Sequence, residues 1–144
     1  MKYEYDSRVR YSEIDHRGTM TLPALINYFQ DGSTFQSEEL GLGMDRLKKE
    51  KKAWVLSYWQ IIIDRYPKMG EPITVGTFAT EFRGLFGNRN FYMKDKDGGM
   101  IACANSIWAF MDLEKGRPCR PTPEHIEPYG ADAPLDMPYE DRKI

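Results

Sequence analysis

Residues 21–41, TLPALINYFQDGSTFQSEELG, hold the one long helical pattern in the chain. Thr21 is a suitable N-cap and Pro23 suits a first turn. Leu22, Leu25, Ile26 and Phe29 form an apolar stripe that continues through the small residues Gly32 and Ser33 to Leu40, and Gly41 is a good terminator. Some 19 residues at 1.5 Å each predict a helix of roughly 28 Å. Upstream, Tyr3 to Ile14 alternates Tyr3, Tyr5, Ser7, Val9 and Tyr11 with charged residues, the period of a half-buried strand, and Asp15-His16-Arg17-Gly18 breaks it. Downstream, Met44 to Lys52 predicts a short basic helix. Four strands follow, over Trp54–Tyr66, Glu71–Phe82, Asn88–Lys96 and Met100–Leu113, with turns at Pro67–Gly70, Gly84–Gly87 and Asp97–Gly99. Trp54–Tyr66 is apolar on both faces in its middle, so it is expected to be a central strand covered on both sides. A 13-residue strand spans about 43 Å, so such a sheet must curl round the helix. One helix covers one face only. The remaining apolar surface and the sheet edges therefore predict pairing with a second copy, as a homodimer or dimer of dimers.

The chain has 144 residues, which suits one domain, placed at 1–127. Pro118, Pro121, Pro123, Pro128, Pro134 and Pro138 exclude long regular elements, and 128–144 is expected to be an extended tail that packs on the surface or frays. A net charge of −2 gives no reason to expect a nucleic-acid partner. The apolar run Ile107–Met111 is far short of a membrane span, which needs about 20 residues. Met1–Asp6 has no apolar core of a secretory signal. Two cysteines, Cys103 and Cys119, make neither a disulfide scaffold nor a zinc site. These readings predict a cytoplasmic protein with no metal, no cofactor and no membrane partner.

Specific strings add a resemblance. Tyr11-Ser12-Glu13-Ile14, Trp54-Val55-Leu56, Gln60 through Pro67 with its Asp64-Arg65-Tyr66-Pro67, Gly70-Glu71, Thr77-Phe78, Ile101-Ala102 and Ser106-Ile107-Trp108 resemble the acyl-acyl-carrier-protein thioesterases from about Arg8 to Glu124. The resemblance implies an α+β hot-dog fold, a curved antiparallel sheet wrapped around one long helix, and hydrolysis of fatty-acyl thioesters. In tandem members of that family the match is to the N-terminal of two hot-dog halves. The catalytic Asn-x-His string of the other half does not occur here. Where that half has Asp, Asn and His, this chain has Asp15, Arg17 and Thr19. A looser similarity to single-hot-dog 4-hydroxybenzoyl-coenzyme-A thioesterases, with a catalytic Asp in this loop, supports Asp15.

Thioester cleavage needs a base or nucleophile at the carbonyl and donors for the developing oxyanion. Asp15 is the candidate for the first, with His16 to relay a proton or orient it. Backbone N–H groups of Gly18, Thr19 and Met20, leading into the helix N-terminus, are candidates for the second. The same residues also suit an ordinary capping turn. Asn27, Gln30 and Asp31 on the helix are competing polar groups. Leu25, Phe29, Trp54, Trp59, Phe78 and Trp108 could line an acyl tunnel or be plain core. Asn105 and Ser106 interrupt an apolar strand, which suits a contact of Asn105 to substrate or a bond within the sheet. Neither cysteine has a histidine placed to activate it. Lys48, Lys49, Lys51 and Lys52 are a solvated face or a landing surface for an acidic carrier protein or coenzyme A phosphates. The expected function is an acyl-carrier-protein thioesterase. The alternatives are an acyl- or aryl-coenzyme-A thioesterase and a non-catalytic acyl-binding module, with a dehydratase behind both.

Overall fold

The computed structural model describes residues 1–140. Its centre is helix α1, Leu22–Glu39. Thr21 caps it by accepting the Ala24 N–H at 3.3 Å, and Pro23 sits in the first turn. Strands β1 (Tyr3–Arg8), β2 (Lys52–Ile63), β3 (Pro72–Arg83), β4 (Phe86–Asp95) and β5 (Met100–Asp112) form one sheet in the order β1-β3-β4-β5-β2. These pairings are antiparallel, and a two-residue β6 (Arg117–Pro118) pairs with β5. Helix α2 (Met44–Glu50) joins α1 to β2, and a short α3 (Pro123–Ile126) follows β6. The sheet curls round α1, which is the α+β hot-dog arrangement. Leu25 and Phe29 of α1 are fully buried against Val75, Phe91, Met93 and Ala104. The rings of Phe29 and Phe91 stack at 5.2 Å, with Trp59 5.1 Å from Phe91. At Gly32 the helix lies so close to the sheet that an added methyl would stand 3.4 Å from Tyr5 and 3.6 Å from Thr77.

Several expectations need correction. The first strand stops at Arg8, not Ile14. Glu13 reaches back to the Arg10 N–H at 2.8 Å and folds Tyr11–Glu13 into a 3₁₀ turn. This local side-chain bond outcompetes a sheet ladder despite the continued alternation. The strand read as central, β2, is an edge strand. Its two apolar faces have different covers. Trp59, Ile61 and Ile63 pack on the core around α1, while Tyr58 and Gln60 on the opposite face bond the chain's own tail through Glu140 O and Pro138 O. A bulge at Ser57 also breaks the simple alternation. Leu56 pairs with Trp108 and Trp59 with Ser106, so Leu56 and Trp59 share a face. Of the tail expected over 128–144, residues 128–140 take the packed one of the two expected outcomes and lie against the rest of the chain. Tyr129 and Met137 are buried, and Asp132 N–H donates to Ala79 O at 2.9 Å. Residues 141–144 lie outside the described residues.

Candidate functional site

The loop before α1 is a tight hairpin. Asp15 N–H donates to Thr19 O at 3.1 Å and Gly18 N–H to Asp15 O at 3.0 Å. Gly18 sits at φ +77°, where a side chain would be strained. Asp15 Oδ1 accepts the Arg17 N–H at 2.9 Å, and the carboxylate is about one-third exposed, at 32%. The hairpin is docked on residues 67–70, where Met20 N–H meets Pro67 O at 2.8 Å and Met69 N–H meets Gly18 O at 2.9 Å. The Asp64-Arg65-Tyr66-Pro67 string explains why that support is rigid. Arg65 grips both Glu71 oxygens at 2.9 and 2.6 Å, and Glu71 also accepts the Lys68 N–H.

This geometry alters the expected roles. The Gly18 and Met20 N–H groups are committed to Asp15 O and Pro67 O, so they do not form an oxyanion hole as they stand. Of the three candidates, Thr19 N–H alone has no backbone partner among the described residues. His16 is exposed, and no hydrogen bond joins it to Asp15 among the described residues. Beside the loop, Glu13 is an acidic group that sequence reading passed over. Its mostly buried carboxylate accepts the Tyr28 hydroxyl at 2.7 Å and the Arg10 guanidinium at 3.0 Å. Burial pulls the Glu13 carboxyl upward, but the Arg10 N–H, the Tyr28 hydroxyl and the guanidinium outweigh it and hold it below the usual range.

A cavity of about 530 Å³ opens elsewhere, between the second half of α1, α2 and the sheet. Leu42, Leu47, Trp54, Phe82, Trp108 and Tyr129 supply its walls, and Lys48 and Lys52 stand among its lining. Gln30 is the first α1 residue to reach it, nine positions after the Thr21 cap, about 13 Å along the axis. Asp15 does not line it.

Of the expected chain-binding residues, Trp54 and Trp108 line this cavity. Leu25, Phe29 and Trp59 are packed into the solid aromatic core instead. Phe78, out of phase with Thr77 and Ala79, lies under Lys2 on the far face. Asn105 also faces away from α1. It stands between Asn90 and Gln60 in register, and its Oδ1 accepts the Asn90 amide at 3.1 Å. Asn90 Oδ1 in turn accepts the Leu135 N–H at 2.8 Å, so this pair fastens the tail. Asp31 is exposed. Burial pushes the Cys103 thiol up, further from a thiolate.

Arg89 was missed. It lines the cavity at 8% exposure, and its Nη1 donates to Gln36 Oε1 at 2.6 Å and Thr77 Oγ1 at 3.1 Å. The guanidinium lies 5.2 Å from the Tyr129 ring centre. Burial pushes its pKa down to about 10, which leaves it charged at neutral pH. Its signal was available: Gly87, Arg89, Phe91 and Met93 share a strand face, and a charge at apolar parity is out of place.

Residues 1–129 match the acyl-ACP thioesterase N-terminal domain family. The chain belongs to that family. It is 30% identical to the chloroplastic acyl-[acyl-carrier-protein] hydrolase FATB3 of Cuphea viscosissima, an alignment covering 94% of this chain and 35% of that protein. The chain thus spans about a third of the length of the curated relatives it matches. An acyl-ACP thioesterase from Bacteroides thetaiotaomicron superposes with a TM-score of 0.89 at 29% identity, covering 98% of this chain and 58% of that one. A 1,4-dihydroxy-2-naphthoyl-CoA thioesterase from Synechocystis superposes with a TM-score of 0.82 at 12% identity, covering 96% of this chain and all of its own (100%). That last likeness shows the fold alone.

Proposed function

We propose that the chain is a cytoplasmic thioesterase that hydrolyses fatty-acyl thioesters to the free acid, with acyl carrier protein as the preferred carrier and acyl- or aryl-coenzyme A as the second. The observation that carries this reading is the 530 Å³ cavity with apolar walls, in a chain of the acyl-ACP thioesterase N-terminal domain family. A volume of that size lies within the usual range for small-molecule sites, about 300–1,000 Å³. The acyl chain occupies the cavity, and Lys48, beside the Lys52 that is paired with Asp112, offers an acidic carrier, or coenzyme A phosphates, a cation among the mixed charges at the mouth.

Asp15 acts on the carbonyl or on a water, and Thr19 N–H is the donor left for the oxyanion. Because Asp15 stands outside the cavity of its own chain, this chemistry needs the thioester to lie where two copies meet. The outer edge of β2, which no strand joins among the described residues, suits that pairing, as a homodimer or a dimer of dimers. Light scattering at micromolar protein is expected to give twice 16.8 kDa or a higher multiple.

A second reading, an acyl-binding half with no hydrolytic centre of its own, is favoured by one observation: no Asp15 atom lines the cavity. One experiment separates the two. The pure protein is incubated with acyl-carrier-protein and acyl-coenzyme-A thioesters while thiol release is followed. Release on the carrier protein supports the enzyme, and binding without release selects the second reading.

A further inference from the structure

Arg89 is a cation placed where an acyl chain would be expected to meet only hydrocarbon. It stands on β4 at an inward position, beneath walls formed by Leu42, Trp54, Phe82 and Trp108. A buried charge is ordinarily paired with an opposite one, because desolvation is otherwise uncompensated. No carboxylate lies within ion-pair distance of this guanidinium among the described residues. Its two hydrogen bonds, to Gln36 and Thr77, are to neutral oxygens, and both leave from Nη1.

A guanidinium offers five N–H donors in a planar fork that matches the two oxygens of a carboxylate. Nε and Nη2 have no acceptor among the described residues. Neither nitrogen is sealed from solvent, and Arg89 is among the residues that line the cavity. The neighbouring lining is also polar: Ser33 is there, and Ser37 Oγ and Tyr129 Oη lie 2.7 Å apart. The rim carries Glu38 and Asp45 as well as Lys48 and Lys52, so no single sign of charge dominates the mouth. The guanidinium, over the Tyr129 ring and without a carboxylate partner, is buried, whereas Glu38, Asp45 and Lys48 are exposed.

A methyl-ended chain driven into this cavity would strip water from the guanidinium and return nothing. A chain ending in an anionic oxygen pair would replace that water and still bury its methylenes on the apolar walls. We infer that the cavity receives the carboxylate end of an aliphatic chain, with Arg89 as its anchor. This rests on the reading of the cavity as an acyl site. Two sources share the chemistry. One is a free fatty acid, the product of hydrolysis, bound head inward. The other is an acyl chain with a second carboxylate at its far end, whose thioester stays at the mouth.

Calorimetric titration of the full chain at neutral pH with dodecanoate and with dodecan-1-ol tests the inference. Dodecanoate is expected to bind about tenfold or more tightly than the alcohol, as a hydrogen bond to a charged group implies. The preference should vanish in Arg89→Gln. Equal affinity for the two ligands in the wild-type protein overturns the anion anchor and leaves the acyl reading standing. Failure of both to bind removes the acyl reading and the inference with it. The wild-type comparison decides even if Arg89→Gln does not fold, which a thermal melt reveals. Thiol release from dodecanedioyl-coenzyme A and dodecanoyl-coenzyme A then separates the sources. A kcat/KM about tenfold higher for the diacid assigns the anchor to substrate. Equal rates with competitive inhibition by dodecanoate assign it to product.

Discussion

Asp15 holds its place through backbone bonds that its own side chain only supplements, and that makes it separable from its loop. The hairpin from Ile14 to Met20 is closed by Asp15 N–H, Gly18 N–H and the docking of Met20 on Pro67, none of which needs a charge on the carboxyl group. In Asp15→Asn the amide oxygen can still accept the Arg17 N–H, so the melting temperature should move little. Thioester hydrolysis should nonetheless fall by about 10²–10⁴-fold, the usual contribution of a positioned base. Thiol release measured beside a thermal melt checks both halves, and unchanged turnover would take Asp15 out of the mechanism. The position of this residue was legible because Asp, His, Arg and Gly together break a strand pattern just before a helix cap. Its separation from the cavity was not, because a helix places its two ends far apart and sequence spacing does not say which end the walls enclose. Asn105 shows the same limit. Its polarity marked it as special, but the strand parity that turns it toward Asn90 and the tail depends on which face the helix covers.

At the scale of elements, α1 appeared where its cap, apolar stripe and terminal glycine put it, and β2 to β5 fell within three residues of their expected bounds, whereas β1 stopped at Arg8 although the alternation runs on. Their order did not follow. Alternation records that a face is buried and not what buries it, so β2, sandwiched by α1 on one side and residues 138–140 on the other, read as a central strand. Close pairing inside the sheet is where single residues have the largest leverage. Gly76 of β3 lies opposite Tyr92 of β4, and a Cβ built on it would stand 2.0 Å from the Tyr92 ring. Tyr92 is 2% exposed and its hydroxyl donates to the Glu4 carboxylate, so the ring has little room to swing. Gly76→Ala is therefore expected to destabilise the fold by about 1–3 kcal/mol, the usual cost of overpacking. Urea unfolding of Gly76→Ala, Tyr92→Val and the double variant checks this. Much of the glycine penalty should disappear once the ring is gone, whereas additive losses would place the cost elsewhere.

Across the whole molecule, acidic side chains hold turns closed and, at Glu50 and Glu13, join segments further apart in sequence, and this sets how the fold should respond to pH. Glu71 is held below the usual carboxylate range by Arg65, tying 65–71 together beneath the Asp15 hairpin. Glu50 is lowered by its bond to His125, which links α2 to α3. Asp95 is lowered by the Gly99 N–H in the turn between β4 and β5, and Asp112 by the Lys115 N–H after β5. Glu13 joins them, its hydrogen bonds overcoming burial. Each of these groups binds a proton more weakly in the folded chain than in the unfolded one. The unfolded state therefore takes up more protons as the medium is acidified, and stability must fall in that direction. The ordinary values are about 3.9 for Asp and 4.3 for Glu. Their contribution is thus complete above about pH 5 and is lost as pH drops through and below 4. A melting temperature followed by circular dichroism should decline as pH is lowered from about 5 to 3. Arg65→Gln removes the leading cause of the Glu71 shift and one of those acting on Asp95, so it should make that decline shallower while lowering stability at neutral pH. A decline as steep in Arg65→Gln as in the wild type would mean that the acid sensitivity comes from the other carboxylates. A melting temperature that does not fall at all would contradict the direction assigned to every one of the five.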